Sequence, residues 1–190
     1  MPKARDIFQK ISERQITGMM LHEQLADYYD FLNLRGFKRL HEYRFFCEAS
    51  EMRGIHRYYI NHFNMLVLGS HPGNPSAIPD GWSNYTRQQV TQDVKRRSVR
   101  DGMARWTSWE RESKKFYERC YSELCEIGEI AAAQKAKALA CNVDHELKYA
   151  DRLCLDMEGT GYDLTYIVMM QDALHDHYEA KTKEIGVRIC

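Results

Sequence analysis

The chain has 190 residues, 44% of them hydrophobic, and its 27 Lys and Arg residues are balanced by 27 Asp and Glu residues. That length fills one well-buried core and predicts a single domain over 1–190, while the zero net charge leaves no electrostatic argument for a nucleic-acid partner. The start MPKARDIFQK has no apolar leader core and no stretch reaches the apolar length of a membrane span, so the sequence predicts a cytoplasmic protein with no membrane partner.

Pro72, Pro75 and Pro79 fall in the stretch GSHPGNPSAIPDG, and the remaining proline is Pro2. Proline removes a backbone donor and clashes with the preceding helical turn, so the two proline-free halves are free to form long helices. The first segment, 4–32, places Ile7, Ile11, Gly18, Leu21, Leu25, Tyr28, Tyr29 and Leu32 on one face at the helical period. Asn33-Leu34-Arg35-Gly36 follows as a short turn, with Gly36 expected in the left-handed position that ends a helix. A second helix over 37–68 carries a stripe of Leu40, Tyr43, Cys47, Ser50, Gly54, Tyr58, Asn61 and Met65. It also carries a second apolar flank of Phe45, Ala49, Ile60, Phe63 and Val67. Such a flank predicts a further neighbour, either the C-terminal helix or another copy of the chain.

After a crossover at 69–90, a third helix over 91–127 aligns Val99, Met103, Trp106, Ser113, Tyr117, Cys120, Leu124 and Ile127. Gly128 breaks it. A fourth helix repeats Ala133, Ala136, Ala140, Val143, Leu147, Ala150, Cys154 and Met157, small residues that permit close helix approach, until Gly159-Thr160-Gly161 stops it. A shorter fifth helix over 162–185 uses Leu164, Ile167, Val168, Leu174 and Tyr178. The expected fold is all-α: two antiparallel hairpins, one long crossover and a shorter C-terminal fifth helix.

Two hairpins joined by one long connection describe the ferritin-like variant of the four-helix bundle, because other bundles use only short loops or two crossovers. The chain resembles the ferritin-like superfamily in this layout, and the stretch Phe45-Phe46-Cys47-Glu48-Ala49-Ser50-Glu51-Met52-Arg53-Gly54-Ile55-His56 is similar to the acid-rich second helix of ferritins and rubrerythrins. The resemblance implies iron or manganese held by carboxylates from all four bundle helices and by Glu-x-x-His pairs on two of them. The sequence departs from that pattern. Gly54 stands where Glu51 would need its histidine, His56 lies five residues on, and Asp144-His145-Glu146 supplies no such pair. Leu21-His22-Glu23-Gln24, the segment from Gly36 to Tyr43 and the segment from Val143 to Lys148 are also similar to uncharacterised helical proteins of phages and mobile elements, which implies an accessory or interaction role.

One candidate ligand per helix survives the phase argument: His22, Glu51, Glu110 and Glu146. Glu110 and Glu146 stand 18 residues on either side of Gly128 and should be level across their hairpin. Glu48 is better levelled with His22 but points further from the core in this reading, and Glu23 is peripheral. A buried carboxylate must be paired, protonated or bound to metal. The four residues therefore either converge on iron or manganese, or pair internally with Arg14, Arg44, Arg53 or tyrosine hydroxyls.

Other features read as structure. Cys47, Cys120, Cys125, Cys141, Cys154 and Cys190 form no C-x-x-C pair and suit reduced core thiols. Lys95-Arg96-Arg97 with Arg100 reads as a solvated face, and His175 and His177 point about 200° apart on a helix and cannot chelate one ion. No nucleotide loop, nucleophile elbow or zinc-protease motif is present. Two functions follow: a ferritin-like metal-binding protein, expected as a homo-oligomer, or a metal-free helical module that binds itself or a protein partner.

Overall fold

A computed structural model describes residues 2–64, 86 and 89–184. The described chain forms five helices: α1 (Pro2–Phe31), α2 (Arg35–Phe63), α3 (Gln92–Glu126), α4 (Ile130–Gly159) and α5 (Leu164–Glu184). The crossover expected at 69–90 lies outside the described residues except for Thr86, Gln89 and Val90, as do Met65, Val67 and Cys190.

Three helix ends close in the same way. Asn33, Gly128 and Gly161 have φ of 57°, 78° and 61°, and each follows the last turn of its helix. At each, two backbone N–H groups reach back to orphaned carbonyls: Leu34 to Tyr29 and Asn33 to Asp30, Glu129 to Leu124 and Gly128 to Cys125, Tyr162 to Met157 and Gly161 to Glu158. This double bond pattern satisfies the C-terminal carbonyls while reversing the chain. The left-handed residue of the first turn is thus Asn33, not Gly36. Gly36 instead lies inside α2, where a Cβ would run into the backbone carbonyl of Gln171 on α5. Its missing side chain is needed for helix approach, not for the turn. α2 ends at Asn64, in the left-handed region at φ 52°, short of the boundary expected from the sequence.

Level contacts fix the topology. His22 meets His41 and Ser12 meets His56, so α1 and α2 are antiparallel. Lys114 meets Asp144 and Arg111 meets Asp151, so α3 and α4 are antiparallel. Arg44 pairs with Glu146 and Asn142 with Glu51, which makes α2 antiparallel to α4 and hence parallel to α3. Two parallel neighbours in sequence require a connection that returns along the bundle, a span of about 40 Å at 1.5 Å per helical residue. The residues between α2 and α3 that would make this connection lie largely outside the described residues. α5 lies along α2, with Tyr178 against Tyr43 and Tyr149.

The core is divided. One apolar cluster holds Leu25, Tyr29, Phe37, Leu40, Met103, Trp106, Met157 and Tyr178 near the α1–α2 turn. The other holds Ile7, Phe8, Ile11, Tyr59, Leu124, Ala132, Ala133, Ala136 and Val143 at the opposite end. The buried face of α2 is Gly36, Phe37, Leu40, His41, Arg44, Glu48, Ile55 and Tyr59, rotated from the expected stripe. Ser50, Gly54 and Asn61 are exposed, as is Val168 on α5. The stripe followed apolar residues, whereas the inward face of this helix is polar at its centre.

A buried polar layer as the candidate functional site

Between the two apolar clusters α1, α2 and α3 turn polar groups inward, and α4 brings the half-buried Glu146 and the exposed Asn142 to the edge of that layer. The spacings are those of one helical face: Gln15, Gly18 and His22 on α1; His41, Arg44, Glu48 and Glu51 on α2; Trp106, Glu110, Ser113 and Tyr117 on α3; Asn142 and Glu146 on α4. Gln15, His22, His41, Arg44, Glu48, Glu110 and Ser113 are all buried, with His22, His41 and Glu110 fully so.

The imidazoles of His22 and His41 approach through Nδ1 at 2.9 Å. One Nδ1 must donate and the other accept, so the contact requires at least one ring to be neutral. Burial lowers both pKa values well below the usual range, and Arg44 lowers them further. His41 stacks on Tyr29 with ring centroids 5.4 Å apart and meets Trp106 edge-on at 5.2 Å. Trp106 donates its indole N–H to Glu110 Oε1 at 2.9 Å, and His22 Nε2 stands 3.7 Å from the same oxygen, beyond hydrogen-bond length. Glu110 Oε2, His22 Nε2, His41 Nε2, Arg44 Nε and both amide atoms of Gln15 have no hydrogen-bond partner among the described residues.

Arg44 is the buried cation of the layer. Its Nη1 lies 2.7 Å from Glu146 Oε1 and its Nη2 lies 3.9 Å from Glu48 Oε1. Burial acts to lower the guanidinium pKa, but Glu146, Glu110 and Glu48 outweigh it and leave the pKa raised. Glu48 is pushed up to about 8, first by burial, against the pull of Arg44 and with help from Glu110, Glu51 and Glu146. Burial raises Glu51, Glu110 and Glu146 as well, again opposed by Arg44. Gly18 gives Glu48 room, since a Cβ there would stand 3.3 Å from the carboxyl carbon. Arg14 is engaged elsewhere. Its guanidinium lies 3.6 Å over the Trp109 ring and donates to Ser113 Oγ at 2.9 and 3.1 Å.

Of the four ligands expected from the sequence, His22 and Glu110 come together. Glu51 accepts a bond of 2.8 Å from Asn142, and Glu146 is held by Arg44. Among the described residues no group of three or more His, Cys, Asp or Glu side chains is arranged to hold a metal ion. The donors present do not fit the centre implied by the resemblance, because Glu-x-x-His pairs are missing and a guanidinium lies beside the Glu146 carboxylate, where it would repel a second cation. Arg44 was one of the internal partners the sequence suggested. Glu48, read as pointing away, is more deeply buried than Glu51. His41 gave no signal in the apolar pattern, although it stands seven residues before Glu48 and three before Arg44, the spacing of one face.

No family model and no curated protein matches the chain by sequence. Solved structures do match in shape. They include an open-pore ferritin from the archaeon Archaeoglobus fulgidus and a closed form of that ferritin engineered by site-directed mutagenesis, each at a TM-score of 0.76 and 12% identity over 92% of this chain and 96% of the other. A humanised archaeal ferritin matches over the same shares at a TM-score of 0.76 and 11% identity. With two antiparallel hairpins whose second and third helices run parallel, and a fifth helix, this chain has the ferritin-like fold.

Proposed function

We propose that this chain is a ferritin-like bundle balanced internally by Arg44, and that it acts in the cytoplasm as a metal-free assembling or accessory protein. The observation that carries this reading is the buried Arg44–Glu146 pair at 2.7 Å, with Glu48 on the other side of the same guanidinium. A divalent ion placed among these carboxylates would have to displace a cation already bonded there. Assembly is supported by an open groove of about 750 Å³ along α2, lined by Met19, Phe45, Phe46, Ala49 and Met52 with Ser50, Glu51 and Arg53 among them. Its mainly apolar lining suits a second copy of the chain better than water, and a two-fold homodimer is the simplest arrangement.

The test combines two measurements on the full chain. Elemental analysis of protein purified without chelator should return no stoichiometric iron or manganese, and sedimentation at micromolar concentration should show a species larger than 22.4 kDa. Stoichiometric metal removed by Glu110→Gln would overturn the metal-free reading, and a strictly monomeric protein would overturn the assembly reading.

A second reading, iron or manganese at a non-standard site of His22, Glu51, Glu110 and Glu146, is favoured by the unpartnered His22 Nε2 and Glu110 Oε2. It requires Glu51 and Glu146 to leave Asn142 and Arg44. Under it, Fe(II) or Mn(II) raises the melting temperature of the wild-type protein, and Glu110→Gln abolishes the rise.

A further inference from the structure

We propose that the groove along α2 is one half of an isologous interface, in which a second copy of the chain lies antiparallel with Glu42 facing the partner's Arg53 and Phe46 facing the partner's Ala49. The inference rests on the assembly reading above and adds to it the register and the pairs that hold the two copies. Phe45 and Phe46 line both the groove of about 750 Å³ and a second hollow of about 260 Å³, so the two hollows form one surface on either side of those rings. The second hollow is acidic, with Glu23, Asp27 and Glu42 around it and Lys38 as the one cation among its lining residues. The far end of the first is basic. Arg53 lines it and Arg57 follows one turn on, both exposed.

Two independent properties of this face select a second copy. The first is charge. Lys38 is already held by Asp30 at 2.9 Å and Glu42 at 3.7 Å, and Arg39 by Glu42 at 2.9 Å, whereas Glu23 and Asp27 make no ion pair among the described residues. Burial, and then the charges of Asp27 and Glu42, raises the Glu23 pKa above its ordinary value, as expected of an acidic end short of positive charge. Arg53 and Arg57 make no ion pair among the described residues either. An antiparallel two-fold contact sets each acidic end against a basic one, twice over. The second property is size. In the register that pairs Glu42 with the partner's Arg53, Phe45 falls opposite the partner's Ser50 and Phe46 opposite the partner's Ala49, so each ring meets a small side chain. Glu42, Phe46, Ala49 and Arg53 recur at the three- and four-residue spacing of one helix face, and they span about 16 Å at 1.5 Å per residue. Matching under reversal, in both charge and size, is what an isologous contact requires and what a surface for an unrelated partner has no reason to show.

The test is sedimentation of the full chain and its variants at micromolar concentration, with circular dichroism to confirm that each is helical. Ala49→Trp fills the gap that receives the partner's ring, and Arg53→Glu sets acid against acid, so each should weaken association by about tenfold or more. Glu42→Arg should weaken it for the same reason. Mixing Glu42→Arg with Arg53→Glu should restore association, because the mixed pair has one native and one reversed ion pair and no like charges in contact. Leu155→Ala, at an exposed apolar position on α4, should leave association unchanged. A wild type that associates, and stays associated in both Ala49→Trp and Arg53→Glu, overturns this interface while the assembly reading stands on another face. A mixture that associates no better than either variant alone overturns the register; should Glu42→Arg lose its helicity, the Ala49→Trp and Arg53→Glu results decide without it. A monomeric wild type overturns this inference and the assembly reading together.

Discussion

The half of the bundle near the α1–α2 turn is filled by Trp106, Tyr29, Phe37, Met103 and Met157, whereas the opposite half sets Ala132, Ala133, Ala136 and Ala140 of α4 among Ile7, Phe8, Ile11 and Leu124. Large rings hold helix axes apart, so the first half needs a third layer, supplied by α5, and local gaps at Gly36 and Gly102. Alanine lets the backbones approach, so among the described residues the second half closes without a fifth helix over it. The two halves should therefore fail in opposite ways, one by loss of volume and the other by its addition.

The largest effect is expected from Trp106→Ala. It empties the aromatic half and strands Glu110 Oε1, so urea unfolding should show a loss of about 4 kcal/mol. Trp106→Phe keeps most of the ring and should lose about 1–3 kcal/mol, the cost of the orphaned carboxylate oxygen. Next comes Gly36→Ala, whose Cβ meets the Gln171 carbonyl and pushes α5 from α2. A loss of about 3 kcal/mol is expected, with α5 cut first in limited proteolysis. Equal protection of α5 in the variant would show that the third layer is not what Gly36 serves.

Ala136→Leu tests the opposite half. An isobutyl group at a position with no exposed surface should cost about 2 kcal/mol by overpacking, whereas Leu155→Ala, at a position 66% exposed, should change thermal stability by less than about 0.5 kcal/mol.

Between the halves, the polar layer should set the response to pH. With its folded pKa near 8 against an unfolded value of 4.5, Glu48 contributes stability that is complete below 4.5 and is lost as pH rises through 8. His22 and His41 are depressed and act with the opposite sign, losing stability as pH falls below 6.5. Above 6.5 only the carboxylate effect remains, so stability should fall by about 2 kcal/mol between pH 6.5 and 8. Glu48→Gln should flatten that decline, and an unchanged slope in this variant would remove Glu48 from the account. A small effect of the opposite sign is expected at Gly54, where a Cβ meets nothing within 4 Å. Gly54→Ala should stabilise α2 by about 0.5–1 kcal/mol.

Helices were legible wherever the buried face is apolar. The residues named from the period of α1, Ile7 to Tyr29, are all buried, with Leu32 buried just past its end; the α3 stripe holds as far as Leu124, and the α4 stripe reaches Met157 with Leu147 and Cys154 half-buried. α2 was not legible in phase. Its inward positions His41, Arg44 and Glu48 carry the charges, so a stripe drawn through Tyr43, Cys47, Ser50, Gly54 and Tyr58 was rotated by about one residue, while Phe45 lies on the outer flank where it was expected. The candidate site was hidden for the same reason. His22 and Glu110 could be found on well-phased helices, but the choice of Glu51 over Glu48 inherited the rotated face. The turn at Asn33 was missed because glycine is the commoner left-handed residue, and what Gly36 avoids is a backbone distant in sequence.

A positive charge on a side chain differs from a free ion in one respect that matters over the life of the protein. Arg44 arrives with translation, in a ratio of one per chain, and its effective concentration at the carboxylates is set by the covalent backbone, not by any supply outside it. Neither starvation for metal nor a chelator can withdraw it. So far as Arg44 supplies the balancing charge, the bundle has no apo form, and its centre can neither release its cation nor exchange it for another.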